Sequence, residues 1–155
     1  MSITDGYWGG QYNHDWADYD NDGDLDLVSG GISIFDNTNY LTIFKNNNGI
    51  LSKDTTQTDL IPLFPCALIW IDINGDNYKD LLTLGRLQLN GVSHMYINDG
   101  MGKLIKSSDQ PFEIPSILHA ISVGDHNSDG YDDIAIAHLN GCLLYTSDAA
   151  DEWPG

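Results

Sequence analysis

Short apolar segments alternate along the chain with clusters of Asp, Asn and Gly. Three of these clusters are acidic loops of nine residues, at 18–26, 72–80 and 125–133. An apolar segment precedes each cluster and another follows it. Short apolar segments bounded by Asp, Asn and Gly are typical of strands joined by turns. The pattern therefore predicts an all-β chain with each acidic loop at the tip of a hairpin.

The acidic loops recur at a nearly constant interval, since their first residues, Asp18, Asp72 and Asp125, are 54 and 53 positions apart. After each of the first two loops, a further apolar segment leads into an Asn/Gly turn, in "YLTIFKNNNGIL" and "SHMYINDGMGKL". One unit therefore reads strand, acidic loop, strand, strand, turn, strand. A repeat of this length with four short strands is typical of a propeller blade, and the chain has room for about two and a half blades.

The acidic loops follow the pattern D-x-[DN]-x-D-G-x-x-D between two strands, and they resemble FG-GAP repeats, also called VCBS-type repeats. Such repeats build the propeller of integrin α-chains and occur in many secreted bacterial proteins. The resemblance implies that residues 1–141 form an incomplete β-propeller. It also implies an extracellular or cell-surface protein with a role in adhesion or ligand binding. The second loop departs from the pattern, because Asn77 replaces the Gly.

Carboxylates this dense are tolerated when a cation lies among them, and Ca²⁺ takes six to eight oxygen ligands. In the family pattern, positions one, three, five and nine give side-chain oxygens and position seven gives its backbone carbonyl. Up to three structural Ca²⁺ ions are therefore expected, and the side chain of Asp24 should remain in solvent. The expected ligands are Asp18, Asp20, Asp22, Asp24 and Asp26; Asp72, Asn74, Asp76, Tyr78 and Asp80; and Asp125, Asn127, Asp129, Tyr131 and Asp133.

The three loops should differ in affinity for calcium. Asp20 gives the first loop a fourth ligand carboxylate, where the other loops have the amides of Asn74 and Asn127. Because carboxylates raise calcium affinity, the first loop should bind most tightly. Asn77 is the next best residue after Gly at positive φ, so the second loop should form but bind most weakly.

Two other interpretations of the loops can be compared with this one. An EF-hand or dockerin loop begins in the same way, but it needs an acidic residue at position twelve and flanking helices. The twelfth positions are Ser29, Thr83 and Ile136, and the flanks are strand-like. The EF-hand interpretation therefore fails, and the alternative that stays open is a solvated Asp/Asn turn without metal.

Composition limits the partners. The chain has 155 residues, with 6 Lys and Arg against 23 Asp and Glu, and its net charge is -17. That charge disfavours nucleic acid and anionic membranes. No apolar segment approaches the roughly 18 residues of a membrane helix, so no membrane insertion is expected. The first ten residues, "MSITDGYWGG", show no signal peptide.

No Ser/His/Asp or Cys/His arrangement suggests catalysis, so no catalytic residue is assigned and no enzyme is expected. The predicted partner is a protein or carbohydrate ligand, and the alternative function is a propeller domain of a carbohydrate-active enzyme or a lectin. Four aromatic residues near the first loop could stack on sugar, but filling the gap between blades is the favoured role. They are Trp8, Tyr12, Trp16 and Tyr19.

The end of the chain breaks the repeat. The segment "CLLYTSDAADE", 142–152, looks like the in-frame translation of a transposon-type sequencing adapter, and all its residues fit. Residues 142–155 are therefore left out of the fold prediction. Cys66 then has no natural disulfide partner in Cys142, and it is expected to be a small buried apolar residue.

Overall fold

The computed structural model describes residues 13–33, 36–87, 90–108, 118–138 and 141–145. Within these ranges the regular secondary structure consists of β-strands, which confirms the all-β prediction. The strands are β1 (Asn13–Ala17), β2 (Asp26–Ile32), β3 (Asn39–Asn47), β4 (Ile50–Lys53), β5 (Phe64–Ile71), β6 (Asp80–Leu87), β7 (Asn90–Asn98), β8 (Leu104–Lys106), β9 (Leu118–Gly124), β10 (Asp133–His138) and β11 (Gly141–Tyr145). The part of the chain that the structure describes contains no helix that could span a lipid bilayer.

The strands form three antiparallel sheets in which each strand pairs with the next one along the chain. The sheet orders are β1-β2-β3-β4, β5-β6-β7-β8 and β9-β10-β11. Each acidic loop joins the first two strands of its sheet, so the predicted hairpins are confirmed. The last residue of each loop opens the second strand opposite the residue that precedes the loop. These pairs are Ala17 with Asp26, Ile71 with Asp80 and Gly124 with Asp133.

The first strands of the three sheets lie side by side, with β5 between β1 and β9. This is how the inner strands of propeller blades are arranged, and the three sheets form an open array of blades rather than a closed ring. The incomplete propeller that the repeat predicts is therefore the observed fold.

The middle sheet is buried on both faces. On β5, Leu68 and Trp70 join the core shared with the first sheet, whereas Ala67 and Ile71 join the core shared with the third. Successive side chains of a strand point to opposite faces, so a strand between two neighbours needs apolar residues throughout. This explains the uninterrupted apolar segment that enters the second acidic loop.

Apolar segments enter all three acidic loops, and such segments predict strands that are buried on both faces, but β1 and β9 are not buried in this way. The side chain of Trp16 on β1 is 50% exposed, and Ala120 and Ser122 on β9 are also exposed. The physical reason is that each of these strands packs against one neighbouring sheet in this structure, whereas β5 packs against two.

The aromatic residues near the first loop divide between two environments. Tyr19 is fully buried, and its ring stacks on Trp70 with the centroids 5.3 Å apart and the planes at 11°. Its predicted role of filling the gap between blades is confirmed. Trp16 is instead half-exposed, and Trp8 and Tyr12 lie outside the described residues.

Strand β11 contains residues 142–145, which were left out of the fold prediction. It pairs with β10, with Cys142 opposite Ala137 and Tyr145 opposite Ile134. The repeat unit has a strand at this place, and the apolar "CLLY" can pair there whatever its origin. The adapter origin stays a prediction, and residues 146–155 and the side chain of Cys66 lie outside what the structure describes.

Candidate metal centre

The three acidic loops share one backbone conformation, with left-handed residues at positions four and six. Glycine at position six was expected for this reason, and Asn77 does take its place in the second loop. The left-handed residue at position four was not predicted. The six residues and their φ angles are Asn21 (56°), Gly23 (96°), Gly75 (73°), Asn77 (66°), Ser128 (63°) and Gly130 (92°).

The first aspartate of each loop organises the turn around itself. In the first loop, Oδ1 of Asp18 accepts the N–H of Asp22 at 3.0 Å, and Oδ2 accepts the N–H of Gly23 at 2.9 Å. Asp72 and Asp125 accept the equivalent pairs of N–H groups in their own loops. A carboxylate oxygen has a second lone pair, so these oxygens can also bind a cation.

In the first two loops, the ninth aspartate connects the loop to the third strand of the sheet. In the second loop, buried Asp80 accepts the N–H of Ile73 at 3.1 Å and the N–H of Asn98 at 2.7 Å. In the first loop, buried Asp26 accepts the N–H groups of Tyr19 and Asn46 in the same way. These two carboxylates therefore hold the hairpin tip against the rest of its blade.

Two asparagines that sequence reasoning missed complete this connection. The amide of Asn46 donates to the carbonyl of Leu25 at 3.0 Å. The amide of Asn98 donates to the carbonyl of Lys79 at 3.1 Å and to that of Tyr19, in the neighbouring blade, at 2.7 Å. Both residues begin the Asn/Gly turn of their unit, and this shared position was the available signal.

Burial raises the pKa of Asp26 to about 6 and that of Asp80 to about 7. Neighbouring carboxylates add to this rise, while the accepted backbone N–H groups oppose it. A buried carboxylate in such surroundings is costly to ionise near neutral pH. A cation in the loop would offset that cost.

We expect Asp80 to stabilise the calcium-free protein more at pH 5 than at pH 8. The folded chain keeps protons on Asp26 and Asp80 up to about 6 and 7, whereas their unperturbed pKa is 3.8. Between these values the folded state binds more protons at these two carboxyl groups than the unfolded state, so their contribution to the free energy of unfolding falls with rising pH. Burial lowers the pKa of His14 and His94, which act in the opposite direction below about pH 6.5. Melting temperatures of the unsubstituted chain and of Asp80→Asn in chelated buffer isolate the carboxyl contribution, because the advantage of the unsubstituted chain should shrink as the pH rises. An advantage that stays constant or grows over this range would contradict the assignment.

The first loop gathers three carboxylates. Asp18, Asp20 and Asp22 each present an oxygen, and these oxygens lie within 4.8 Å of one another. Oxygens that share one Ca²⁺ at about 2.3–2.6 Å lie no farther apart than roughly 5 Å. Oδ1 of Asp20 is buried and accepts no hydrogen bond in the described part of the chain. These residues therefore fit a divalent cation, which would satisfy that oxygen.

The second and third loops have an amide where the first has Asp20. Asn74 donates its amide N–H to Asp76 at 3.0 Å, and Asn127 donates to Asp129 at 2.8 Å. This hydrogen bond holds the carboxylate at position five without a cation. Each of these loops thus brings fewer carboxylates together than the first, and their ligand roles stay predictions, as does that of Asp26.

The seventh residue of the first loop requires a correction. Asp24 was expected to leave its side chain in solvent, but its Oδ2 accepts the N–H of Asn48 at 2.7 Å. The β3–β4 turn lies over the loop and supplies this donor. At the same position of the other loops, Tyr78 and Tyr131 donate their N–H groups to the carboxylates of Asp76 and Asp129.

Neighbouring loops also touch. The amide of Asn21 in the first loop is 3.4 Å from the carbonyl of Asn77 in the second. The ring of Tyr131 in the third loop lies so close to Gly75 that a Cβ there would be 2.7 Å from it. The loops therefore lie next to one another in the array.

Fold and loops together define an all-β repeat protein whose propeller blades carry acidic hairpin loops. The FG-GAP-like repeat matches residues 18–83 and 72–136, which is most of the chain. The chain therefore belongs to the FG-GAP-like repeat family. Each match begins at an acidic loop and runs through the loop of the next blade. No curated protein matches the chain.

Proposed function

We propose that the acidic loops bind Ca²⁺ and that the chain is part of a calcium-stabilised propeller scaffold. The observation that carries this proposal is the convergence of three carboxylates in the first loop. One of their oxygens, Oδ1 of Asp20, is buried and accepts no hydrogen bond from the residues that the structure describes. Solvated turns expose such oxygens to water, because an unsatisfied buried acceptor costs about 1–3 kcal/mol. The membership in the FG-GAP-like repeat family supports the same conclusion.

The role proposed for the metal is structural. Ca²⁺ would supply positive charge to a hairpin tip that the backbone N–H groups already shape. Asp18, Asp20 and Asp22 would hold the ion in the first loop, and Asp26 would hold the loop against β3. Because Asp26 and Asp80 connect their loops to the blade, calcium binding would be coupled to the folding of the blade.

We also propose that the parent protein works outside the cell as an adhesion or ligand-binding scaffold rather than as an enzyme. FG-GAP repeats are typical of extracellular proteins, and the net charge of -17 suits surroundings rich in calcium. Extracellular calcium modules bind in the range of about 10⁻⁴ to 10⁻³ M. The first aspartate of each loop accepts backbone N–H groups with both of its oxygens. These bonds support a structural role for the carboxylates rather than acid–base chemistry.

Calcium at millimolar concentration should raise the melting temperature of the chain. At ten times its dissociation constant, one bound ion adds about 1.4 kcal/mol, which corresponds to a rise of several degrees. Asp22→Ala should reduce this rise because it removes one ligand of the first loop. Asp59→Ala removes an exposed carboxylate outside the loops and serves as the control.

Differential scanning calorimetry with calcium, with magnesium and with EDTA would measure the effect, and titration calorimetry would give the stoichiometry. If calcium produces neither binding heat nor a thermal shift at millimolar concentration, the loops are solvated turns.

A further inference from the structure

A lysine from the third strand reaches the first acidic loop. Nζ of Lys45 lies 3.1 Å from Oδ2 of Asp20 and 5.4 Å from the centroid of the Tyr19 ring. Lys45 on β3 immediately precedes Asn46, whose N–H bonds the ninth aspartate of the same loop. The strand that anchors the loop therefore also places a positive charge beside it.

The two oxygens of Asp20 are in different surroundings. Oδ2 pairs with Lys45, whereas Oδ1 is buried and has no hydrogen-bond partner among the described residues. The side chain of Asp20 is only 15% exposed, because Gly102 of the next blade approaches so closely that a Cβ there would lie 2.9 Å from it. Oδ2 thus pairs with Lys45, and Oδ1 remains available to a bound metal ion.

The second blade has no lysine at the position that corresponds to Lys45. Asn98 corresponds to Asn46, since its N–H bonds the ninth aspartate of the second loop, and the residue before it is Ile97. The third loop position, occupied by Asp20 in the first blade, is Asn74 in the second. The carboxylate at position three and the lysine before the anchoring asparagine therefore occur together in the first blade, and neither occurs in the second. The lysine inside the second loop, Lys79, pairs with Asp132 at 3.3 Å instead. Lys45 compensates the charge that Asp20 adds.

We propose that Lys45 sets the calcium affinity of the first loop, weakening the binding of Ca²⁺ there while neutralising Asp20 in the calcium-free protein. This inference rests on the proposed calcium binding by the loops. Counting carboxylates alone makes the first loop the tightest site. The first loop has one ligand carboxylate more than the second, and the positive charge of Lys45 offsets that difference.

The size of the effect follows from electrostatics. The ammonium group of Lys45 is separated from the buried oxygen by one carboxyl group, and its side chain is 38% exposed. Repulsion between an ion of two charges and a partly solvated lysine should weaken binding about tenfold at low salt. Because salt screens partly exposed charges, the effect should shrink to about twofold at high ionic strength.

The test is calcium titration of the 155-residue chain with Lys45→Met, at low and at high salt. The first loop should bind calcium about tenfold more tightly in this variant, and Lys45→Gln should behave alike. Lys45→Arg keeps the charge, and Lys53→Met removes an exposed charge on β4. Both variants should bind calcium with the affinity of the unsubstituted chain. In EDTA, Lys45→Met should melt below the parent, because Asp20 then has no counter-charge.

Asp20→Asn identifies the site, since it removes one ligand carboxylate of the first loop and should weaken the same binding step that Lys45→Met strengthens. Unchanged or weaker calcium binding by Lys45→Met would overturn the inference, and weaker binding would show that Lys45 orients Asp20 for the ion. If the parent and every variant bind no calcium, the proposed function itself fails. These two outcomes are distinct, because only the second removes the binding heat of the parent.

Discussion

Replacing Trp70 by alanine should lower the free energy of unfolding by about 3–5 kcal/mol, the usual cost of removing a large buried aromatic side chain. Trp70 is 5% exposed and lies on β5 between the first two blades. Its ring stacks on Tyr19, the second residue of the first acidic loop. The substitution would therefore open a cavity between the blades and remove the surface on which the loop rests. Since small domains are stable by only about 5–15 kcal/mol, this loss would be a large part of the total.

Urea unfolding followed by circular dichroism, which does not depend on tryptophan fluorescence, would measure the loss. Trp16→Ala is the matched control, because Trp16 is 50% exposed and should lose less than about 1 kcal/mol. Trp70→Phe should fall between the two, since it keeps a ring for Tyr19. Equal destabilisation by Trp70→Ala and Trp16→Ala would mean that the packing between the blades contributes little.

The hairpins and their acidic loops could be predicted because their signals are local. Alternating apolar and turn-forming segments set the strands, and the recurring aspartates set the loop boundaries. Even the departure at Asn77 was readable, because few residues accept positive φ and Asn is among them. Much of the conformation within nine residues is controlled by the residues themselves, so sequence reasoning succeeds at this scale except at position four, where only one of the three loops has a glycine.

Contacts between distant segments could not be predicted in the same way. Lys45 reaches Asp20 only because β3 folds back beside the loop, and nothing in the sequence near position 20 indicates a lysine. The Asn48 N–H that holds the side chain of Asp24 comes from a turn 24 positions later. These contacts depend on strand register, which the repeat pattern leaves open.

Asp54 illustrates the same limit. It is buried behind the first loop and accepts the hydroxyl of Tyr19 at 2.7 Å. Three further hydrogen bonds, from the N–H and hydroxyl of Thr56 and the amide of Gln57, satisfy this carboxylate. Asp54 lies outside every acidic cluster, so its sequence surroundings suggest an ordinary surface residue.

Replacing Asp80 by alanine should destabilise the calcium-free protein by about 2–5 kcal/mol. The substitution leaves the buried N–H groups of Ile73 and Asn98 without their acceptor, and each such group costs about 1–3 kcal/mol. Removing a carboxylate whose pKa burial raises to about 7 offsets part of this cost near neutral pH. The loss should therefore be larger at pH 5.5, where Asp80 is protonated in the folded chain and less is gained by removing it.

Asp76→Ala is the matched control, because Asp76 is an exposed residue of the same loop. Its Oδ1 accepts the N–H of Tyr78, and water can replace that bond, so we expect a loss below about 1 kcal/mol. Urea unfolding in EDTA separates this structural effect from any loss of calcium.

Replacing Asp80 by alanine should also loosen the first acidic loop, in the neighbouring blade. Asn98, which Asp80 holds through its N–H, donates its side-chain amide to the carbonyl of Tyr19 at 2.7 Å. Hydrogen exchange should therefore speed up in the first acidic loop of Asp80→Ala but not in that of Asp76→Ala. If the two variants are equally stable and exchange alike, the ninth aspartate does not hold the loop to its blade, and the coupling between calcium binding and folding loses its structural basis.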